Sequence, residues 1–160
     1  MAHTIHGHTR ELVATAHRLH SMKPHLLLRA AAVLTFAHAI LNTFAGLLSG
    51  TSKNQEEVSL LNAMKALHFD AMGSLRTYWD FYFGFGVFLT FNLLLLAVLM
   101  WQLASLAKSA PALARPFIGT LCIAFLAFAI SSWLYFFIAP VVIEVVIALL
   151  LGLAYASSRR

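Results

Sequence analysis

Long apolar stretches dominate the pattern of hydrophobic and polar positions along the chain. Crossing about 30 Å of hydrocarbon as a helix takes roughly 20 residues. Two separate stretches reach this length, one at 26–48 and one at 81–106. The pattern therefore predicts a transmembrane helix at each of them.

A third apolar stretch is about twice as long as either of these. Between Phe117 and Ala156 the only charged residue is Glu144, and a single helix of about 40 residues would be about 60 Å long, twice the hydrocarbon thickness. The stretch must fold back once, and Pro140 is the strongest helix breaker near its middle. We therefore place the turn at 138–141. The four predicted spans are 26–48, 81–106, 117–138 and 140–156.

Two further helices are predicted outside the spans. Residues 9–21 place apolar side chains on one face and basic side chains elsewhere, as in a helix that lies on a membrane surface. Residues 53–69 begin with acidic side chains and end with basic ones, which suits the ends of a helix, and we expect this helix at the outer membrane interface. The predicted fold is an all-α membrane protein, a four-helix transmembrane bundle at 26–160, preceded by a cytoplasmic amphipathic segment at 1–25.

Composition and charge support a membrane protein and indicate its orientation. The chain is 61% hydrophobic and only 11% charged, and a soluble fold of this size could not hide so much apolar surface. Its net charge of +5 does not indicate nucleic acid, because the basic residues flank apolar stretches. Cytoplasmic loops are richer in Lys and Arg, so we expect both termini in the cytoplasm, in a bacterial inner membrane. The residues predicted on that side are Arg10, Arg18, Lys23, Arg29, Lys108, Arg115, Arg159 and Arg160.

Each predicted span carries one stripe of small and polar residues at helical spacing. Such residues normally face other helices rather than lipid, so the stripes predict the inward faces of the bundle. They consist of Ala31, Thr35, His38, Asn42, Ala45 and Ser49 in the first span, Arg76, Asp80 and Gly84 in the second, Thr120, Ala124, Ala127, Ser131 and Tyr135 in the third, and Glu144, Ala148 and Gly152 in the fourth.

Polar groups gather in the half of the bundle that is predicted to lie away from the cytoplasm. We expect a pocket there, in which His38 partners Glu144 directly or through Asn42. The alternative is that Glu144 only solvates the turn near Pro140. Asn42 and Asn92 are expected to form hydrogen bonds between helices.

The segment that leads into the second span is rich in aromatic and charged side chains. Arg76 and Asp80 are four residues apart and are predicted to pair on one helical face, while Tyr78, Trp79 and Tyr82 suit a membrane interface. The segment is either an interfacial belt with a structural ion pair or the rim of a pocket for an amphiphile, including a cationic one. The residues predicted to line the pocket are His38, Asn42, Arg76, Tyr78, Trp79, Asp80, Tyr82, Asn92, Ser131, Tyr135 and Glu144.

The run SLRTYWDFYFGFG at 74–86 resembles a segment found in small uncharacterised bacterial four-span membrane proteins. The layout of the spans is also similar to that of the EXPERA group, which includes sterol isomerases and the sigma-2 receptor, and to that of DoxX-like proteins. The EXPERA resemblance implies a sterol-like or amine ligand in a pocket reached from lipid. It assigns no catalytic residue to this chain.

Three functions are compatible with these patterns. The first is binding or transport of a lipid-like molecule in the predicted pocket. The second is a membrane enzyme for lipids or sterols in which His38 and Glu144 move a proton. The third is an assembly subunit of a membrane complex. We expect membrane lipids as partners, no nucleic acid, and no cofactor or metal site; a homo-oligomer is compatible with the sequence.

Overall fold

The structure, a computed structural model, describes residues 23–44 and 54–158. They form five α-helices and one two-stranded antiparallel sheet. In chain order the elements are α1 (Pro24–Leu41), α2 (Gln55–Ala66), β1 (His68–Ala71), β2 (Ser74–Thr77), α3 (Tyr78–Ser109), α4 (Pro111–Tyr135) and α5 (Ile138–Ser157).

Four of these helices are long and apolar enough to cross a membrane. Their ranges are Pro24–Phe44, Tyr78–Ser109, Pro111–Tyr135 and Ile138–Ser157, the first of which includes a π-helical turn after α1. The prediction of an all-α, four-span membrane protein is confirmed. The predicted surface helix at 9–21 lies outside the described residues, as do Ala45 and Ser49 of the first stripe.

Proline positions account for two errors in the predicted ends of the last spans. The turn lies at Phe136 and Phe137 rather than at 138–141, and Pro140 lies in the first turn of α5. A proline fits there because the first N–H groups of a helix have no partner within the helix. Similarly, α4 begins at Pro111 and continues through Pro116, although we predicted its start after that residue.

The described residues divide into two compact units. The first, here called the core unit, contains the residues up to Thr35 and from Leu96 onward. All four long helices contribute to its apolar core, which therefore is a four-helix bundle. The core is built from Leu27, Leu28, Ala31, Ala32, Met100, Ala104, Ala107, Ala114, Ile118, Phe125, Ile147, Ala148, Leu151 and Ala154.

The predicted inward faces are correct for α1 and α5 but wrong for α3 and α4, and the residues predicted for α3, Arg76, Asp80 and Gly84, are exposed. Ala31, Thr35 and His38 are buried, and so are Glu144 and Ala148. In α4 the buried residues are instead Ala114, Ile118, Phe125, Ala129 and Ser132. The predicted stripe of α4 is mostly exposed, and its members Thr120, Ala127, Ser131 and Tyr135 lie on the surface.

The physical reason for this error is that size outweighs polarity in α4. Ile118 and Phe125 fill the apolar core, where their large side chains make more van der Waals contacts with neighbouring helices than a row of small residues would. Thr120 does not need an inward position, because its hydroxyl donates to the carbonyl of Pro116 in its own helix, at 3.2 Å.

The second unit, here called the hairpin unit, contains Phe36–Leu95. The sheet within it was not predicted, since the sequence pattern at 53–69 favours one continuous helix. The helix ends at Ala66, and a hairpin follows in which Phe69 pairs with Arg76. The hairpin loop consists of Met72 and Gly73, both at positive φ, 55° and 84°, as the tightest hairpin turns require. Asp70 Oδ1 accepts a hydrogen bond from the Gly73 N–H at 2.6 Å, which fixes the turn.

Candidate functional site

The junction between β2 and α3 is fixed by reciprocal hydrogen bonds. The Thr77 hydroxyl accepts from the Asp80 N–H at 3.1 Å, and Asp80 Oδ2 accepts from the Thr77 N–H at 2.8 Å. This is a capping box, which satisfies backbone donors at the start of a helix. Thr77 is buried, so the direction in which α3 leaves the hairpin is well defined.

The capping box overturns the predicted pairing of Arg76 with Asp80 on one helical face. Arg76 lies in β2, before the helix begins, and its Nη1 donates to the Leu75 carbonyl at 3.3 Å. The Asp80 carboxylate is instead engaged by Thr77. The two side chains nevertheless line the same surface feature.

That feature is an open groove of about 390 Å³ on the hairpin unit. Arg76 and Asp80 form its polar part. Phe81, Phe85 and Phe88 form most of its apolar part, and their spacing of four and three residues places them on one face of α3. Gly84 completes the lining, and a Cβ atom at this position would meet nothing within 4 Å. The missing side chain therefore leaves space between the rings.

Aromatic contacts support the groove from the hairpin. The ring of Phe69 in β1 lies 5.5 Å from that of Phe81 and 4.9 Å from that of Tyr78, measured between centroids. Phe81 also contacts Phe85, at 6.2 Å. Each of these distances is in the range of favourable ring pairs, so the hairpin helps to hold the groove residues in place.

The aromatic residues that were predicted to form the rim of the pocket do not line the groove. Trp79 packs on Tyr82 and Phe83, with centroid distances of 5.6 and 6.1 Å, and the Lys65 ammonium lies 4.7 Å from the Trp79 ring. Tyr78, Trp79 and Tyr82 are not among the groove residues. Phe81, Phe85 and Phe88 were not predicted as site residues, although their helical spacing around Gly84 is visible in the sequence.

Asn42 occupies a polar contact between α3 and the π-helical turn after α1. Its Nδ2 donates to the Gly86 carbonyl at 3.1 Å and to the Thr90 hydroxyl at 2.9 Å, and the Thr43 hydroxyl lies 3.1 Å from that of Thr90. The predicted hydrogen bond between helices is thus confirmed for Asn42. It is wrong for Asn92, whose amide donates to the Phe88 carbonyl of its own helix at 2.8 Å.

His38 and Glu144 are both buried, each with 6% of its surface exposed. His38 belongs to the hairpin unit and Glu144 to the core unit. His38 Nδ1 and Glu144 Oε2 have no hydrogen-bond partner among the described residues, while the Ser132 hydroxyl interacts with the Glu144 carboxyl group. The pairing of His38 with Glu144 stays a prediction.

The other two candidates lie away from the buried face of α4. Ser131 is exposed, and 80% of the Tyr135 surface is exposed. Ser132, the neighbour of Ser131, was not predicted, although it is the residue that reaches Glu144. Within residues 23–44 and 54–158, no group of three or more His, Cys, Asp or Glu side chains is placed to hold a metal ion.

Known proteins give no indication of what this site does, so its function is inferred from its geometry. No protein-family model, curated protein or solved structure matches the chain. The resemblances drawn from the aromatic segment and from the layout of the spans therefore stay predictions.

Proposed function

We propose that this protein binds a lipid-like amphiphile with an anionic head group in the groove of the hairpin unit. The observation that carries the proposal is the lining of the groove, which combines the Arg76 guanidinium and the Asp80 carboxylate with three phenylalanine rings. An amphiphile has the same division between a polar head and an apolar body.

The rings provide the apolar half of the site. Phe81, Phe85 and Phe88 are all exposed, and aromatic rings contribute large contact areas when a ligand covers them. Because they lie in the first turns of a membrane-spanning helix, a ligand can reach them from the lipid phase without crossing water.

The polar half favours an anion. The Asp80 carboxylate already accepts the Thr77 N–H in the capping box, whereas the Arg76 guanidinium makes one long bond to a neighbouring carbonyl. A guanidinium has five donors in a planar fork that matches a carboxylate or phosphate. The sequence left a cationic amphiphile open, and the occupied carboxylate is our reason for proposing an anionic one.

Binding of dansyl-undecanoic acid to the purified protein in lipid nanodiscs tests this proposal. We expect Arg76→Gln to weaken binding of this carboxylate probe about tenfold or more, because a hydrogen bond to a charged group is lost. Binding of the methyl ester of the probe should change little. Gly84→Leu should abolish binding of both, because the new side chain fills the groove.

The matched control for Gly84→Leu is Thr120→Leu. It adds an apolar side chain at an exposed position of α4 and should leave binding unchanged. Equal affinity of wild type and Gly84→Leu would refute binding in the groove. Tighter binding of the corresponding dansyl-alkylamine than of the acid would refute the anionic head group.

A further inference from the structure

Cationic side chains collect at one end of the core unit. Lys23 directly precedes α1, and Arg29 lies in its second turn, with the imidazole of His25 between them in the chain. Lys108 lies in the last turn of α3. Lys108, Lys23 and Arg29 are all close enough to act electrostatically on His25, so the charges share one end of the unit.

Arg115 extends this cationic end to the helix that follows. It lies in the second turn of α4, and its guanidinium carbon is 4.3 Å from the centroid of the Tyr155 ring near the end of α5. We call Lys23, His25, Arg29, Lys108 and Arg115 the basic end.

The described residues of the core unit contain no carboxylate close to the basic end. Their single acidic residue is Glu144. Glu144 precedes Tyr155, the residue beneath Arg115, by eleven positions on α5, which corresponds to about 16 Å along a helix. The positive charge of the basic end therefore lacks a nearby counter-charge within the described part of this unit.

Both arginines of the basic end lie on aromatic rings. Arg29 has its guanidinium carbon 5.1 Å from the centroid of Trp101, and Arg115 lies over Tyr155. A ring covers one face of a guanidinium and leaves the N–H groups at its edge available to an oxyanion. Arg115 Nε is buried and has no acceptor in the described protein, so the protein itself does not saturate this guanidinium.

We propose that the basic end binds the phosphate of an anionic phospholipid from the surrounding bilayer. The site lies at the end of membrane-spanning helices, where lipid head groups are present, and basic side chains between helix ends are suited to acidic lipids. Tyr155 and Trp101 also suit the depth of the head groups. This site is separate from the groove and does not depend on its ligand.

Trp101 provides a reporter for this lipid. The chain has three tryptophans, Trp79, Trp101 and Trp133, so Trp79→Phe combined with Trp133→Phe leaves only the ring that lies beneath Arg29. In bilayers that mix phosphatidylglycerol with phosphatidylcholine, either lipid can carry bromine near the top of its acyl chains. Bromine quenches tryptophan fluorescence on contact, so quenching reports which lipid lies beside Trp101.

We expect brominated phosphatidylglycerol to quench Trp101 at least twice as strongly as brominated phosphatidylcholine at the same mole fraction. Arg115→Gln and Lys108→Gln should each reduce this preference. Arg76→Gln, which removes a cation from the groove of the hairpin unit, should leave it unchanged. Circular dichroism of each variant verifies that the helices are intact.

Two results would overturn the proposal. The first is equal quenching by the two brominated lipids in the protein with Trp101 alone. The second is loss of the preference when glycerol phosphate replaces sodium chloride at the same ionic strength, since a soluble phosphate should not displace a ligand that acyl chains also hold.

Discussion

At the scale of single residues, polar side chains in the apolar helices form two kinds of hydrogen bond. Some join different segments, and others stay within one helix. Asn42 and Asn92 have the same side chain, yet Asn42 bonds Gly86 and Thr90 of another segment, and Asn92 bonds Phe88 of its own helix. The partner, rather than the residue type, therefore decides what each amide contributes.

Replacing Asn42 by Leu should destabilise the protein. The two hydrogen bonds between segments are lost, and such bonds in membrane proteins contribute about 0.6 kcal/mol on average and up to about 1.7 kcal/mol. We expect a decrease of about 1 kcal/mol in the free energy of unfolding, measured by SDS-induced unfolding in mixed micelles.

Asn92→Leu is the matched control for this change. It removes a hydrogen bond to a carbonyl that already takes part in its own helix, so the free energy of unfolding should stay within about 0.5 kcal/mol of wild type. An Asn92→Leu variant that is destabilised as much as Asn42→Leu would contradict the assignment.

Gly119 permits the close approach of α4 and α5. A Cβ atom there would lie 3.2 Å from the Tyr155 ring, whereas one at Gly152 would lie 3.9 Å from Cys122 Sγ, an ordinary contact. Gly119→Ala should therefore shift Tyr155 and cost about 1 kcal/mol or more, measured by the same unfolding method. Gly152→Ala is the control and should be neutral or stabilising, since alanine favours helix.

At the scale of elements, the start of α3 depends on the capping box. Thr77→Val keeps the shape of the side chain but removes the hydroxyl that accepts the Asp80 N–H. We expect a loss of about 1 kcal/mol in the free energy of unfolding. Hydrogen exchange of the amides in the first turn of α3 should also accelerate.

Thr120→Val serves as the control for Thr77→Val. The Thr120 hydroxyl donates to a carbonyl within α4 and caps no helix, so its loss should have little effect. Unchanged hydrogen exchange at Asp80 in Thr77→Val would show that the capping box does not hold the start of α3.

The sequence was informative about the long helices because hydrocarbon thickness imposes their length. Runs of apolar residues near 20 residues have few alternatives to a spanning helix, whatever their neighbours are. The hairpin has no such constraint. Its strands have four residues each, and its turn places Met72, a residue without special preference for positive φ, beside Gly73. A pattern this short is easily interpreted as the continuation of α2.

The candidate site could be located from the sequence only in part. Arg76 and Asp80 line the groove and were predicted. Both were easy to identify because they are charged residues next to an apolar span. Phe81, Phe85 and Phe88 were overlooked since phenylalanine is common in any span and only the position of Gly84 distinguishes this face. Which aromatic rings meet depends on the hairpin, through Phe69, and the hairpin was not predicted.

At the scale of the whole molecule, the side of the membrane on which each connection lies remains a prediction from the Lys and Arg residues. Four spans would return both termini to one side, which we propose is the cytoplasm. The hairpin would then lie on the opposite side, and the connection between α3 and α4 on the side of the termini.

Single cysteines test this topology, because Cys122 is the only cysteine of the chain. In a Cys122→Ala background, we expect Ser74→Cys in the hairpin to react with a membrane-impermeant maleimide added to intact cells. Ser109→Cys at the end of α3 should react only after the membrane is permeabilised. Both positions are exposed, so burial does not explain a difference.

The Cys122→Ala protein without a new cysteine is the control and should stay unlabelled. Labelling of Ser109→Cys in intact cells, with protection of Ser74→Cys, would show that the chain is inserted the other way round. The groove would then face the cytoplasmic leaflet, although its lining would be unchanged.

The length of α3 has a consequence for the kind of bilayer that suits this protein. With 32 residues, α3 measures about 48 Å, against a hydrocarbon thickness of about 30 Å. The helix must tilt steeply or project into the aqueous phase, and a thinner bilayer would increase the tilt or the projecting length. We therefore expect the protein to partition toward thick, long-chain lipid domains when a vesicle offers both kinds.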